Sequence, residues 1–243
     1  MGKNLIQQAR GKGGPTYRSP SFRFAGKISF KPICSDNITV QGKIIDLIKC
    51  PGHSSPLAEI KYQDGSKALL PAPEGVAVGD EVSAGPDAQI DSGNVRAVKD
   101  IPEGTLINNI ESRPGDGGTF CRAGGTFAKV IERHNNGVLV MLPSKKTRMF
   151  LNECRATIGI LAGGGRTEKP FLKAGTKMHL KRAKNKLYPR VSGTSQNAVD
   201  HPFGGSRSSK KGIPTTTPRN APPGRKVGLL RARFTGRGGK GKK

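Results

Sequence analysis

Tryptophan is absent from this 243-residue chain, and aromatic residues make up only 5% of it. Hydrophobic residues account for 33% of the chain, which is little material for a core that spans its whole length. No apolar run approaches the roughly 20 residues that a membrane helix needs. The first residues also lack the apolar segment of a signal peptide. We therefore expect an intracellular chain without a membrane anchor, with a core confined to part of its length.

The signatures of metal sites and of common enzymes are also missing. The four cysteines form no C-x-x-C pair, so neither a zinc ribbon nor a disulfide framework is expected. The four histidines show no metal-ligand spacing. The sequence contains neither the phosphate loop of a P-loop nucleotidase nor a G-x-S-x-G nucleophile elbow. We expect no metal site, no catalytic residues and no enzyme.

Acidic residues are missing from residues 1–33 and almost missing from residues 161–243. The first segment carries 7 Lys and Arg with no acid, and the last carries 21 with two acids. Residues 34–160 between them carry 14 basic and 15 acidic residues. A near-neutral middle with two basic, Gly- and Pro-rich arms is typical of a protein that lays its ends along a polyphosphate. A membrane binder would need apolar anchors beside its cations, and these arms have few.

The middle segment reads as short β-branched strands separated by turn residues. Asp64-Gly65 predicts a hairpin, and Asn136-Gly137 favours a type I′ turn. Short strands separated at regular intervals by turn residues predict two small antiparallel barrels, joined near residue 93. The arms lack such periodicity, so we expect them to be extended, and disordered without RNA. A helical turn or two is predicted in the C-terminal arm between Lys177 and Leu187.

Two kinds of residue in this sequence suit RNA contact. Glycines 115, 117 and 118 and Gly163-Gly164-Gly165 lie near arginines, so their bare backbone N–H groups are expected to contact phosphate. The alternative is ordinary flexible turns. Asp200 lies inside a cationic arm and should have a specific partner, which is a backbone N–H, an arginine or His201 itself. His201 is expected to donate to phosphate or a 2′-OH, or to stack on a base, and the alternative is a simple turn.

Several segments resemble signatures of the universal large-subunit ribosomal protein L-two family. They are residues 85–88, 93–94, 101–105, 109–111, 155–159, 162–166, 168–170, 197–205 and 221–228. The start of the chain, through Gln8, and Arg18-Ser19-Pro20-Ser21 are similar to the archaeal and eukaryotic branch of that family. One departure is Ser195-Gln196, where the family usually has Ala-Met. The resemblance covers nearly the whole chain.

The resemblance implies an all-β fold, in which an oligonucleotide-binding (OB-type) barrel is followed by an SH3-like barrel with long basic arms. The expected division is a basic N-terminal extension, the OB-type domain, the SH3-like domain and an extended C-terminal arm, at residues 1–33, 34–92, 93–161 and 162–243. The implied partners are large-subunit ribosomal RNA, neighbouring ribosomal proteins and, through an intersubunit bridge, the small subunit. The implied location is the cytoplasmic ribosome, without a membrane partner.

The implied function is structural, in subunit association and in assembly of the peptidyl-transferase region during translation. No resident cofactor is implied, and magnesium shared with rRNA is left open. The residues expected to contact rRNA are Arg10, Lys12, Arg18, Arg23, Arg122, Gly163, Gly164, Gly165, Arg166, Lys169, Lys173, Lys181, Arg182, Arg190, Asn197, Asp200, His201, Gly204, Gly205, Arg207, Lys210, Lys211, Arg219, Arg225, Lys226, Arg231, Arg233 and Arg237.

Two alternatives to this structural role are open at the level of the sequence. One is direct acid–base chemistry, with His201 as a general base in peptide-bond formation and Asp200 orienting it. The other is a free translation factor or DNA-compacting protein that acts without a ribosome. The histidine lies in an arm with no core to hold it, so RNA would have to supply the positioning that catalysis needs.

Overall fold

The computed structural model describes residues 3–32, 39–205 and 214–232. The strands are β1 Val40–Ile48, β2 Leu57–Tyr62, β3 Lys67–Pro71, β4 Glu81–Ala84, β5 Val95–Ala97, β6 Leu106–Asn108, β7 Ala128–His134, β8 Gly137–Met141, β9 Thr147–Phe150, β10 Arg155–Ile158, β11 Thr216–Thr217 and β12 Leu229–Leu230. The helices are α1 Ile6–Gly11 and α2 Ala174–Ala183. Short 3-10 turns occupy Pro15–Tyr17, Ser21–Arg23, Val98–Asp100, Gly164–Thr167 and Gly193–Ser195.

The predicted all-β class is confirmed, since strands outnumber helices throughout the middle of the chain. Strands β1 to β10 form one ten-stranded sheet in the order β3-β2-β1-β4-β5-β10-β6-β7-β8-β9. Strands β3 and β9 are the two ends of this ladder, and no closed barrel is found among the described strands. The OB-type and SH3-like barrels therefore remain proposals. No helix of the described residues has both the length and the apolar character to cross a membrane.

Two hairpins test the turn predictions. The hairpin at Asp64-Gly65 is confirmed, with β2 and β3 antiparallel and Gly65 at φ +81°. The hairpin between β7 and β8 also forms, but its turn lies one residue earlier than predicted, because His134 pairs with Gly137. The type I′ prediction is wrong, since Asn136 is not among the residues with positive φ. Gly137 is needed instead for packing, because a Cβ there would lie 2.5 Å from the Phe150 carbonyl oxygen.

The sheet encloses two separate hydrophobic cores. The first is built from Ile28, Phe30, Ile44, Cys50, Leu57, Ala58, Ile60, Tyr62, Ala68, Leu70, Ala72, Val82 and Val95. The second is built from Val98, Ile101, Ile107, Ile110, Ala128, Val130, Val138, Val140, Phe150, Cys154 and Ala156. Ile28 and Phe30 belong to the first core although they lie within the predicted N-terminal extension. The division of the chain into domains at residues 33, 92 and 161 stays a prediction.

A buried ion pair joins the loop after β6 to strand β10. Glu111 is fully buried, and its carboxylate accepts hydrogen bonds from Arg155 Nη2 at 2.9 Å and from the Arg155 backbone N–H at 2.9 Å. Arg155 Nη1 donates to the Lys31 carbonyl at 2.5 Å, and its guanidinium lies 5.1 Å from the Phe30 ring centroid. Arg155 thereby holds residues 30–31 against the sheet.

The chain divides into two compact units, residues 21–176 and residues 1–20 with 177–243. In the second unit, the described parts of the two basic arms bind each other. Lys3 N–H donates to the Val199 carbonyl at 3.1 Å, and Arg10 Nη2 donates to the Asn185 carbonyl at 2.6 Å. The buried apolar side chains described there are Leu5 and Val227. So small a core gives little stability, and the expectation that the arms need RNA for order stays a prediction.

Candidate nucleic-acid interface

Glycines of two loops meet at one point in residues 21–176, which we call the glycine junction (Gly124, Gly125, Gly163 and Gly164). Gly124 N–H donates to Ser54 Oγ at 2.9 Å. A Cβ on Gly125, whose φ is +77°, would lie 2.3 Å from Gly164 Cα. A Cβ on Gly124 would lie 2.9 Å from the Gly163 carbonyl oxygen. Gly124 and Gly125 are therefore required for close packing of the chain itself, whereas Gly163 and Gly164, against which they pack, also have exposed backbone.

Gly165 and Arg166 differ from the junction beside them. A Cβ on Gly165 would meet nothing within 4 Å, and both residues are exposed. Arg166 Nε donates to the Gly124 carbonyl at 3.4 Å, which directs the side chain along the junction. Exposed backbone beside an exposed guanidinium is the arrangement that binds phosphate through N–H and bidentate contacts.

In the loop of Gly115 to Gly118, the N–H groups of Gly117 and Gly118, which were expected to contact phosphate, are bonded within the protein. Asp116 accepts hydrogen bonds from the N–H of Ser112 at 2.8 Å and of Gly118 at 2.9 Å. Glu111 accepts from the N–H of Gly117 at 3.2 Å. These carboxylates occupy the backbone donors of Gly117 and Gly118, while Gly115 is exposed.

Arg122 lies beside this loop and is half-buried. Its Nη1 donates to the Gly118 carbonyl at 2.9 Å. Burial lowers the pKa of Arg122, and the nearby Asp116 opposes that shift. Part of the guanidinium is therefore used within the protein, which leaves less of it for RNA than the sequence suggested.

Most of the predicted basic contacts are exposed side chains. In residues 21–176 these are Arg23, Arg166, Lys169 and Lys173. In the other unit they are Lys12, Arg18, Arg182, Arg190, Arg219, Lys226 and Arg231, while Arg10, Lys181 and Arg225 are half-buried. Arg207, Lys210, Lys211, Arg233 and Arg237 lie outside the described residues.

Helix α2 carries part of this charge. It contains the predicted helical turns but begins three residues before Lys177 and ends at Ala183. None of its residues is buried, and Lys181 and Arg182 occupy its last turn. Cations at a helix C-terminus are favoured by the helix dipole. Most residues of this helix are exposed, so Arg182 can reach a polyanion from its last turn.

The loop from Asn197 to Gly205 is closed by its own backbone. The Asn197 carbonyl accepts from the N–H of Asp200 at 3.0 Å and of His201 at 3.1 Å. The N–H of Gly205 returns to the Gln196 carbonyl at 3.1 Å. A Cβ on Gly204 would lie 2.3 Å from the Asn197 carbonyl oxygen, so only glycine fits there.

The ring of His201 is held in one orientation within this loop. Its Nδ1 accepts a hydrogen bond from the Phe203 N–H at 3.0 Å, and the two rings lie 5.1 Å apart. A Cβ on Gly193 would lie 2.3 Å from His201 Cε1, so the ring packs directly on that glycine. Burial lowers the pKa of His201. Because Nδ1 is the acceptor, the neutral ring carries its proton on Nε2.

Asp200 is bound by a residue that the sequence analysis did not name. Its Oδ1 lies 2.6 Å from Lys3 Nζ, so the partner is neither a backbone N–H, an arginine nor His201. A carboxylate that orients a histidine base accepts a proton from the ring's Nδ1–H. Here Nδ1 is itself an acceptor of the Phe203 N–H, so the geometry does not make a His–Asp pair of that kind. Lys3 and Asp200 are too far apart in sequence for any local pattern to reveal the contact.

Chemistry other than ion pairing is sparse at these surfaces. Among the described residues, no group of three or more His, Cys, Asp or Glu side chains is placed to hold a metal ion. Residues 21–176 present exposed cations with bare backbone, and the other unit presents exposed cations with a fixed imidazole donor. Surfaces of this kind can bind and position a polyanion.

Comparison with known proteins finds relatives that match nearly the whole chain. The family described as Ribosomal Proteins L2, C-terminal domain, matches residues 91–224. The large ribosomal subunit protein uL2 of Archaeoglobus fulgidus is 50% identical, over 97% of this chain and 99% of the relative. The uL2 proteins of Methanothermobacter thermautotrophicus and Natronomonas pharaonis are 48% identical over 98% of this chain and 46% identical over 99%. The chain therefore belongs to the ribosomal L2 (uL2) family, in its archaeal branch.

Proposed function

We propose that this chain is a structural constituent of the large ribosomal subunit, where it binds large-subunit rRNA through its two basic arms. The observation that carries this proposal is the distribution of charge on a chain of this family. The excess cations lie at the two ends, and most of those described are exposed. Each lysine or arginine that pairs with a phosphate releases counterions, so this surface favours RNA without reading its sequence.

We further propose where in the ribosome the chain acts and which partners it contacts. Neighbouring ribosomal proteins and, across an intersubunit bridge, the small subunit are its further partners, and its location is the cytoplasmic ribosome. There it supports subunit association and the assembly of the peptidyl-transferase region. The loop from Asn197 to Gly205 positions RNA in that region. The exposed contacts include the exposed basic side chains of both arms, while Gly204 closes the loop from within. The other exposed contacts are Gly163, Gly164, Gly165, Arg166, Asn197 and Gly205.

A role as an enzyme is not favoured by the site. His201 receives a hydrogen bond at Nδ1 from the Phe203 N–H, and Asp200 is paired with Lys3. The histidine is thus placed as a donor through Nε2, which suits a phosphate or 2′-OH acceptor.

Co-sedimentation distinguishes an integral subunit component from a free factor. Large subunits that contain the tagged chain are washed at high salt and pelleted. We expect the chain to remain in the pellet in one-to-one proportion with rRNA. A translation factor included in the same experiment should be released. Loss of the chain at the salt concentration that releases the factor would refute the proposal.

A further inference from the structure

Phe22 is the most exposed aromatic side chain that the structure describes, with 81% of its surface open to solvent. A single exposed apolar residue is ordinary on a protein surface, so exposure alone assigns nothing. Phe24, two residues later, is partly buried, as is usual for a phenylalanine. It packs against the first core, on Gly52, where a Cβ would lie 2.7 Å from its ring, and edge-on to His53.

The backbone around Phe22 is fixed. Ser21–Arg23 forms a 3-10 turn, closed by the Phe24 N–H donating to the Ser21 carbonyl at 3.0 Å. Pro20 restricts the chain on one side of this turn, and the packed ring of Phe24 anchors it on the other. The exposed ring is therefore held out on a short, constrained turn. A preorganised side chain loses less conformational entropy when it binds.

Phe22 lies beside a cation, in a segment of the chain that is cationic in sequence. The guanidinium of Arg23 lies 5.3 Å from the Phe22 ring centroid, which leaves the remaining ring surface exposed. Residues 1–33 contain no acid. An apolar protein partner would gain nothing from this charge, whereas a nucleic acid gains phosphate pairing beside a stacking surface. Aromatic rings set among cations are how proteins hold unpaired nucleotides.

We propose that Phe22 is a stacking platform for an unpaired base of large-subunit rRNA, with Arg23 pairing to a phosphate beside it. This inference rests on the proposed function, because it names one nucleotide-binding site within that RNA contact. The base lies on the open face of the ring and the guanidinium of Arg23 covers the other. Stacking accepts any base, so the site selects single-stranded RNA rather than a sequence.

Affinity measured against salt concentration separates stacking from charge. The full-length chain is titrated with archaeal large-subunit rRNA at several salt concentrations. Phe22→Ala and Phe22→Leu should each weaken binding by about 5-fold to 150-fold, with an unchanged slope of log affinity against log salt. Phe22→Tyr should bind like the wild type, because it keeps a ring. Arg23→Gln should flatten the slope by a little under ~1.

Two controls and a crosslink test whether the loss of affinity comes from the Phe22 ring itself. Phe127, with 41% of its surface exposed, lies in the near-neutral part of the chain, so Phe127→Ala should leave affinity unchanged. Thermal unfolding should be the same for the wild type and the Phe22 variants, since this ring contributes little to the core. A photoreactive phenylalanine at position 22 in assembled subunits should crosslink to rRNA.

Three results would overturn the inference. Wild-type affinity in both Phe22→Ala and Phe22→Leu would show that the ring binds nothing on RNA. Wild-type affinity in Phe22→Leu alone would indicate a general apolar contact, and a crosslink to a protein would identify a protein partner instead. Failure of the proposed function is distinguishable, because the wild-type chain itself would then show no salt-dependent binding to rRNA.

Discussion

Lys3 and Asp200 form an ion pair in which Lys3 Nζ and Asp200 Oδ1 lie 2.6 Å apart, with 68% and 35% of their side chains exposed. The backbone follows the same path, since the Lys3 N–H donates to the Val199 carbonyl at 3.1 Å. The beginning of the chain thus holds the loop that carries His201. The pair also neutralises the one carboxylate in a stretch of chain that is otherwise cationic.

The first prediction concerns this ion pair. Lys3→Ala should weaken rRNA binding, because it leaves the Asp200 carboxylate facing phosphates without a counter-charge. Adding Asp200→Asn to Lys3→Ala should restore part of the affinity. A pair this exposed should show a coupling energy of about 0.2–1 kcal/mol in a double-mutant cycle. Affinity for rRNA is measured for the two single variants and the double variant.

Lys12 provides the matched control for Lys3. It is an exposed lysine of the same arm, and Lys12→Ala removes the same charge without uncovering a carboxylate. Asp200→Asn should therefore have the same effect on affinity whether or not Lys12 is present. Equal rescue of the Lys3 and Lys12 variants by Asp200→Asn would mean that the effect is general charge and not this contact.

The second prediction concerns Glu111 and Arg155. Arg155→Ala should lower the free energy of unfolding by about 3–5 kcal/mol, because it strands a buried carboxylate. Lys67→Ala is the control, since Lys67 lies 2.8 Å from Glu59 at the surface and has 61% of its side chain exposed. It should cost less than about 1 kcal/mol. Urea unfolding of the full chain measures both.

The opposite order of these two losses would contradict the burial argument. The double variant Glu111→Gln, Arg155→Met provides a further check. It removes both charges, so it should be more stable than Arg155→Ala alone.

Contacts between residues close in sequence could be predicted, whereas contacts between distant residues could not. The hairpin at Asp64-Gly65 was predictable because its turn residues are adjacent and Asp64 bonds Ser66, two residues on. Arg155 and Glu111 are 44 residues apart, and no local pattern links a charged residue of one strand to a carboxylate in a distant loop. Such contacts are set by the sheet order, which short-range signals do not fix.

Glycines show the same limit at the candidate site. Gly163, Gly164 and Gly165 suggested exposed backbone for phosphate, and all three are exposed, but only Gly165 has open space around a Cβ. Gly125 and Gly164 meet across a close approach of two loops that are distant in sequence. A glycine needed for packing and one with open space around it are identical in sequence, so only the structure distinguishes them. The exposure of Phe22 could not be predicted either, because Phe24, the same residue type two positions later, packs against the first core.

The third prediction uses this contrast between glycines. Gly125→Ala should destabilise the fold by about 1–3 kcal/mol, because its φ of +77° is strained for alanine and its Cβ would lie 2.3 Å from Gly164 Cα. Gly165→Ala meets open space, so its stability should be unchanged or slightly raised. If RNA approaches this backbone closely, Gly165→Ala should still weaken rRNA binding. Unchanged affinity in a stable Gly165→Ala would remove Gly165 from the interface.

The fourth prediction concerns the pH dependence of the loop at His201. Burial lowers the pKa of His201, so the folded loop holds the neutral ring more strongly than the unfolded chain does. The stability from this ring is present above the unfolded pKa of about 6.5, and it is lost as the pH falls through the lower folded value. Protonation at Nδ1 also removes the acceptor of the Phe203 N–H.

Nitrogen chemical shifts of the ring measure this directly in the isolated chain. A His201 that titrates there like a histidine in an unfolded peptide would show instead that the arm is disordered without RNA. At pH 7.5 we expect a neutral His201 with its proton on Nε2. On acidification the Phe203 amide signal should move as the ring titrates, and His201→Gln should abolish that shift. A ring protonated on Nδ1 at pH 7.5 would contradict the assigned geometry.

The last prediction separates positioning from catalysis at His201. Glutamine keeps a hydrogen-bond donor and acceptor but cannot act as a base near neutral pH, whereas alanine removes the donor and the stacking surface. For a positioning role, His201→Gln should be tolerated better than His201→Ala, and the defect should appear in subunit assembly or association. Peptide-bond rates are measured on purified, fully assembled mutant subunits. Those rates should be close to normal, and a large loss in the chemical step with His201→Gln would establish a catalytic role instead.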